Sequence, residues 1–422
     1  MTDTVRIGRA EDGLLHVIAP LLPSGGTPPS VLDPAPGVDV AVLEVAGGHL
    51  SWSVLALEAP PVAVLDSVGP AQGWVWAVYG EQTALALAEN ATAPAGRGDG
   101  TVTDGTVTDS TVTDSTVTDS TVTEASPALP ELVASARRLA YAHWAARWWP
   151  ASVVDAIPAL DVHLLGQEIG TLTEECDLLF GARETADASP ADGPFPAVPP
   201  DTLPGADVPP PRATDYALAA GPAPAAGAAD GLTLARGTGG SDWRRCPPGL
   251  VDASERAVSW EVVRAAARTT VSISVVAAPG PPHPRRELAP WAAVGGAAVP
   301  LDVPLRRVAD TWVGDGRLDG IRPGLDGVRA TTGPHPDGPA GPDPYALGAD
   351  GLTVDIHLPG FGTPAGPGED PAAQRAVRAR IRDLARSRLA RAAAAAGTDS
   401  AAGPGALLLR AEIAAANDDS DF

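Results

Sequence analysis

Lysine is missing from the whole 422-residue sequence, so all 29 basic side chains are arginines. That excludes Schiff-base catalysis and the phosphate-binding lysine of a P-loop. Cysteine occurs only as Cys176 and Cys246, too few for a disulfide framework or a cysteine-built zinc site. No run approaches the ~20 apolar residues of a membrane span. Residues 1–20 also lack the basic segment and apolar core of a secretory leader. A cytoplasmic protein with no membrane association is expected. The formal net charge of −23 disfavours nucleic acid, because neutralising phosphates needs clustered cations in excess. Neither G-x-S-x-G nor H-E-x-x-H occurs, and the seven histidines never fall at metal-ligand spacing. No residue is therefore assigned to catalysis, to a cofactor or to a metal, and a non-enzymatic chain is expected. The bias toward Ala, Gly, Pro and Arg reads as a GC-rich bacterial coding preference.

The clearest helical signal lies in 127–181. Leu132, Val133, Ala136, Leu139, Ala140, Trp144 and Trp148 recur at the spacing of one helical face. Pro150 cannot continue the ladder. Asp161 is placed to cap a second helix bearing Leu164, Leu165, Ile169, Leu172, Cys176 and Leu179, and Gly181 to stop it. The pattern predicts an αα-hairpin. Trp144 and Trp148 fall on its apolar stripe, whereas Trp149 lies off it and is the surface candidate. All three are candidate partner-binding residues, since Trp and Arg dominate binding hot spots.

Period-two alternation predicts an N-terminal β-rich region over 1–92, through Val38/Val40/Val42, Leu50/Trp52/Val54, Val62/Val64 and Trp74/Trp76/Val78. A short helix is predicted over 82–89. Five tandem pentads at 101–125 lie in a low-complexity segment, 93–126. A five-residue period flips its valine to the opposite strand face at each repeat, so the segment reads as an acidic flexible linker. The Pro/Ala/Gly-rich stretch 182–230 reads as a second disordered linker. Strand signals return in 231–365, at Val258/Trp260/Val262, Val271/Ile273/Val275, Val299 to Leu305, Trp312 and Leu352 to Leu358, and predict a β-sandwich-like domain. Gly237-Thr238-Gly239-Gly240 reads as a turn. Asp355 and His357 stand two apart and so share a strand face. Asp315, Asp319, Gly320 and Asp326 match an EF-hand loop poorly.

The last segment, 366–422, predicts an Arg-rich helix capped by Asp370 with Pro371 first, then a short element and an acidic tail. Arg378, Arg382 and Arg386 are its candidate partner-binding residues; pairing with the chain's own acids is the favoured alternative. The fold class is α+β: antiparallel β-rich modules, an αα-hairpin and a C-terminal helix joined by disordered linkers. The expected function is a non-enzymatic scaffold or interaction component of a bacterial cytoplasmic complex, with a protein partner. The rival is an enzyme or small-ligand-binding protein whose site is assembled in 231–365 from Asp355, His357 or Cys246.

Overall fold

The computed structural model describes residues 3–9, 13–18, 37–92, 118–181, 231–265, 268–280, 288–295, 301–318, 352–362, 370–396 and 408–418. The fold is α+β, with seven α-helices and three antiparallel sheets among the described residues. The chain divides into two compact units, each discontinuous in sequence. Unit 1 comprises Met1–Arg147, Asp161–Pro194 and Ser387–Asp418; unit 2 comprises Trp148–Leu160, Phe195–Arg386 and Asp419–Phe422. The stretch 182–230, the Arg-Gly-Asp tripeptide at 97–99 and the acidic end of the chain lie outside the described residues. Among the described residues, no helix is long and apolar enough to cross a membrane.

Unit 1 is built on a six-stranded sheet: β1 (Asp3–Arg9), β2 (Leu15–Ile18), β3 (Val40–Val45), β4 (Gly48–Ser53), β5 (Val62–Leu65) and β6 (Thr118–Ala125), in the order β3-β4-β5-β2-β1-β6. Leu43, Leu50, Ala63, Val17 and Ile7 line up on one buried face through the cross-strand register. Two helices follow β5, α1 (Val68–Tyr79) and α2 (Glu81–Thr92). Gly80 separates them at φ 93°, and a Cβ there would strike the Ser126 carbonyl. That close approach leaves room for glycine alone. Then come α3 (Pro130–Trp148), α4 (Val162–Glu175) and α5 (Asp177–Phe180). Asp161 caps α4 as expected, accepting from the amides of His163 and Leu164 at 2.8 and 3.1 Å. Ser135 of α3 donates to Glu175 at 2.8 Å, which joins the two arms of the hairpin.

Two readings in this unit are corrected. Trp74, Trp76 and Val78 alternate but lie in α1, where Ala71, Trp74, Val75 and Val78 are buried at i, i+3, i+4, i+7. A stretch this apolar satisfies both periods, and burial selects the helix over the helix-weakening Gly69 and Gly73. Residues 118–125, expected as linker, form the edge strand β6 paired with β1. The face-flipping of a five-residue repeat acts only over several repeats, and β6 spans less than two.

In unit 2 a five-stranded sheet runs β12-β13-β9-β8-β7 and a three-stranded sheet β11-β10-β14. Their strands are β7 (Leu232–Gly239), β8 (Val258–Ala265), β9 (Arg268–Val276), β10 (Trp291–Gly295), β11 (Leu301–Pro304), β12 (Arg306–Val308), β13 (Thr311–Arg317) and β14 (Thr353–His357). Val262, Val271 and Ile273 from one sheet share a core with Ala292, Val303 and Ile356 from the other. The glycines at 237 and 239, expected in a turn, belong to β7. A Cβ on Gly237 would lie 2.5 Å from the Trp260 ring, so the missing side chain makes room for the indole. Asp315 sits in β13 and accepts from Ser272 at 2.7 Å; the rest of the EF-hand-like match is outside the described residues.

The Arg-rich helix is α6 (Pro371–Ala396), with Asp370 accepting from Ala372 N at 2.8 Å. A last helix, α7 (Arg410–Asp418), packs in unit 1.

Candidate functional site

The pleat of the three-stranded sheet assembles a polar face. Ala293 pairs directly with Asp302 on β11 and with Asp355 on β14, while Trp291 pairs with Pro304 and His357. Directly opposed residues share a face, so Asp302, Asp355, His357 and Trp291 surround the small Ala293. Arg245 reaches this face and forms an ion pair with Asp355. Burial lowers the His357 pKa; the Arg245 charge lowers it further and Asp302 opposes it. The imidazole is therefore neutral near pH 7. Its Nδ1 is shut off from solvent and makes no hydrogen bond to the described residues. Such a face can orient a small polar ligand by hydrogen bonding. Cys246 does not join it. The thiol is fully buried in the unit 2 core and pushed up to about 12 by that burial, which leaves it neutral and unreactive.

A second polar cluster in unit 2 is closed on itself. Asp252 is 0 % exposed and accepts from Ser152 Oγ at 2.7 Å and from the amides of Val153, Val154 and Ser254 at 2.6, 3.3 and 2.9 Å. Nearby, Arg378 grips Glu255 with Nε at 2.7 Å and Nη2 at 3.2 Å. Arg382 donates to the Ala253 carbonyl at 3.1 Å and pairs with Asp155 at 3.4 Å. Arg386 pairs with Asp155 at 3.3 Å and with Asp383 at 2.8 Å. The three arginines proposed from sequence for a partner are thus engaged by this chain's own carboxylates, and Arg378 and Arg382 are buried.

In unit 1 a buried network gathers residues from four helices. Glu412 of α7 is 0 % exposed and is bound twice by Arg388 of α6, at 2.5 and 2.7 Å. It also accepts from Tyr141 Oη of α3 at 3.0 Å and from Leu409 N at 2.8 Å. The Arg388 guanidinium lies 4.1 Å from the Tyr141 ring centre, and Tyr141 stacks on Trp144 at 5.4 Å. Burial and the Glu412 charge push the Tyr141 phenol well up, so it remains a donor. Burial disfavours the charge of Arg388, but Glu412 outweighs it and the pKa rises. Glu168 on α4 completes the network, pairing with Arg138 and accepting from Arg410 N at 2.8 Å. Every carboxylate here is matched by donors, which is the arrangement of a structural brace.

The tryptophans proposed from sequence are also placed inward. Trp144 is buried with Nε1 donating to the Val38 carbonyl at 2.7 Å, and Trp148 is half-buried. Trp149, expected at the surface, is buried with Nε1 donating to the Pro158 carbonyl at 2.8 Å. The chain beyond Pro150 folds back over it, through the Ser152–Ile157 bridge, and helical periodicity does not register that cover. The exposed tryptophan is instead Trp76, at 43 %. It stands on α1 with Gly69, Gln72 and Gly73, all exposed.

No family model, curated protein or solved structure matches the chain.

Proposed function

We propose that the protein is a non-enzymatic interaction component that binds a protein partner through the outer face of α1. The exposure of Trp76 carries this reading. A large aromatic left 43 % accessible on a helix is costly to hydrate and is the residue type that anchors interfaces. Gly69 and Gly73 support it. A Cβ at either would meet nothing within 4 Å among the described residues, yet glycine weakens a helix by about 0.8–1.0 kcal/mol relative to alanine. A partner packing closely on the stripe gains from their absent side chains. Exposed Leu85 and Leu129 add apolar surface elsewhere in unit 1. A cytoplasmic location belongs to the proposal, supported by two unpaired, buried cysteines. Affinity purification of the tagged protein from its native cytoplasm tests it. A stoichiometric partner is expected, and Trp76→Ser should weaken it about 30-fold, the size of a 2 kcal/mol hot spot, with the melting curve unchanged. A partner held equally by both proteins removes Trp76 from the interface.

Small-ligand binding at the Asp302–Asp355–His357 face is a second reading, favoured by the sequestered Nδ1 of His357. A ligand at 100 times its Kd stabilises the folded state by about 2.7 kcal/mol. Thermal-shift screening should then find polar small molecules that raise the melting temperature of the wild-type chain and not of His357→Ala. Hits that shift both alike would retire the reading.

A further inference from the structure

The register of β6 against β1 has a property that follows from the pentad repeat. Thr118-Asp119-Ser120-Thr121-Val122-Thr123-Glu124-Ala125 forms the strand. Five residues earlier the sequence reads Thr113-Asp114-Ser115-Thr116-Val117-Thr118-Asp119-Ser120. The two stretches differ only where Asp119 replaces Glu124 and Ser120 replaces Ala125. A second step back, 108–115, again offers Thr-Asp-Ser-Thr-Val-Thr-Asp-Ser.

The contacts that hold β6 are made by the repeated residues. Thr123 Oγ1 meets Thr83 Oγ1 of α2 at 3.1 Å, and Thr121 Oγ1 accepts from Asn90 Nδ2 at 3.4 Å. Thr118 and Thr116 replace them after a shift of five. Arg6 faces Val122, and Val117 is its counterpart. The ladder is irregular between Ile7 and Arg9, where β6 carries an extra residue at Thr118–Thr121. The shifted segment brings the same Thr-Asp-Ser-Thr to that bulge. The side of β6 away from β1 has no paired strand among the described residues, so no further ladder opposes the movement. Buried Ala125, and the amide of Ser126 bonded to the Tyr79 carbonyl at 3.0 Å, favour the observed register.

We propose that the slot between β1 and α2 is a docking site for the Thr-Val-Thr-acid-small pentad, and that the preceding pentads of this same chain occupy it in turn by five-residue register shifts. Each shift passes five residues from the amino-terminal side of β6 into its connection to α3. The repeat thereby sets how much slack stands on either side of a fixed strand. Only register degeneracy is needed, which the pleat allows where side chains repeat.

Cross-strand trapping tests this in the full chain. Arg6→Cys is combined with Val122→Cys for the observed register, Val117→Cys for the shifted one, or Thr118→Cys as an out-of-register control. Cys176 and Cys246 are buried, with thiols pushed up to about 12, and do not compete. Under mild oxidation the 6/122 pair is expected to close fully within one chain. The 6/117 pair should close more than 6/118, and its yield should rise about tenfold when Ala125→Ser makes the two registers nearly equivalent, a change of ~1.4 kcal/mol. If 6/117 closes no more than 6/118 while 6/122 closes, the proposal fails. It fails equally if 6/117 closes only as a disulfide-linked dimer, since the pentad then comes from another copy.

Discussion

Glu412→Ala is expected to destabilise unit 1 by about 3–5 kcal/mol, because it leaves the buried guanidinium of Arg388 without its counter-charge. Tyr141 Oη and Leu409 N lose their acceptor in the same step. Removing both charges together, as Glu412→Leu with Arg388→Met, should cost far less, since apolar residues of similar volume replace a buried pair at little or no cost. Urea unfolding read through amide exchange of α3 reports unit 1 by itself. The expected result is a double variant more stable than Glu412→Ala, with a coupling of about 2 kcal/mol or more between the two positions. Losses that simply add would mean that Arg388 and Glu412 do not depend on one another, and the brace would have to be reinterpreted as ordinary packing.

The second large loss is expected in unit 2. Asp252→Ala strips the acceptor from four buried or half-buried donors, three backbone amides and the Ser152 hydroxyl. A buried donor left unpaired costs about 1–3 kcal/mol, so a total of about 3–5 kcal/mol is expected even if some donors find water. The loss has a pH dependence of known sign. Burial raises the Asp252 pKa above its ordinary value, with the hydrogen bonds opposing it. A carboxyl whose folded pKa lies above its unfolded one contributes most below the unfolded value. That contribution fades as pH rises through the folded value. The deficit of Asp252→Ala should therefore be greater toward the ordinary carboxylate range than at neutral pH. Chemical unfolding across that range, followed by amide exchange in β8 and β9, measures it. A deficit that grows on going to neutral pH would contradict the burial-dominated picture of this group.

Helix termini and strand alternation were the parts of this fold most open to reading. The Asp161 and Asp370 caps and the proline stop at Pro150 are local chemistry, set by residues within one turn of the event they control. The alternations at Val258/Trp260/Val262 and Val271/Ile273/Val275 survive as β8 and β9 because one face of each is buried. β10 escaped notice, since Trp291-Ala292-Ala293-Val294-Gly295 offers alanines where a strand signal needs bulk. Trp74, Trp76 and Val78 misled for the opposite reason, with apolar residues dense enough to fit either period. The polar strand face was half legible. Asp355 and His357 share it through strand geometry alone, but Arg245 arrives through an ion pair between residues 110 apart in sequence, and Asp302 only because β10 pairs with both β11 and β14. The arginines of α6 could be counted but not aimed. The partners Glu255, Asp155 and Glu412 are held by unrelated elements, and only the folded chain shows that Arg378, Arg382 and Arg388 turn inward while the other arginines of the helix stay exposed.

The brace around Glu412 also bears on how the chain is made. Tyr141 and Glu412 are 271 residues apart. Ribosomes add roughly 5–20 residues per second, so α3 emerges on the order of 15–50 s before the residue that completes its polar network. During that interval Arg138, Tyr141 and the glutamate at 168 are synthesised without their final neighbours. Unit 1 thus starts with β1 and is completed only by α7, and a nascent chain interrupted before residue 408 would carry an unclosed interior. Newly made molecules therefore need protection from aggregation from the synthesis of α3 until α7 has been made.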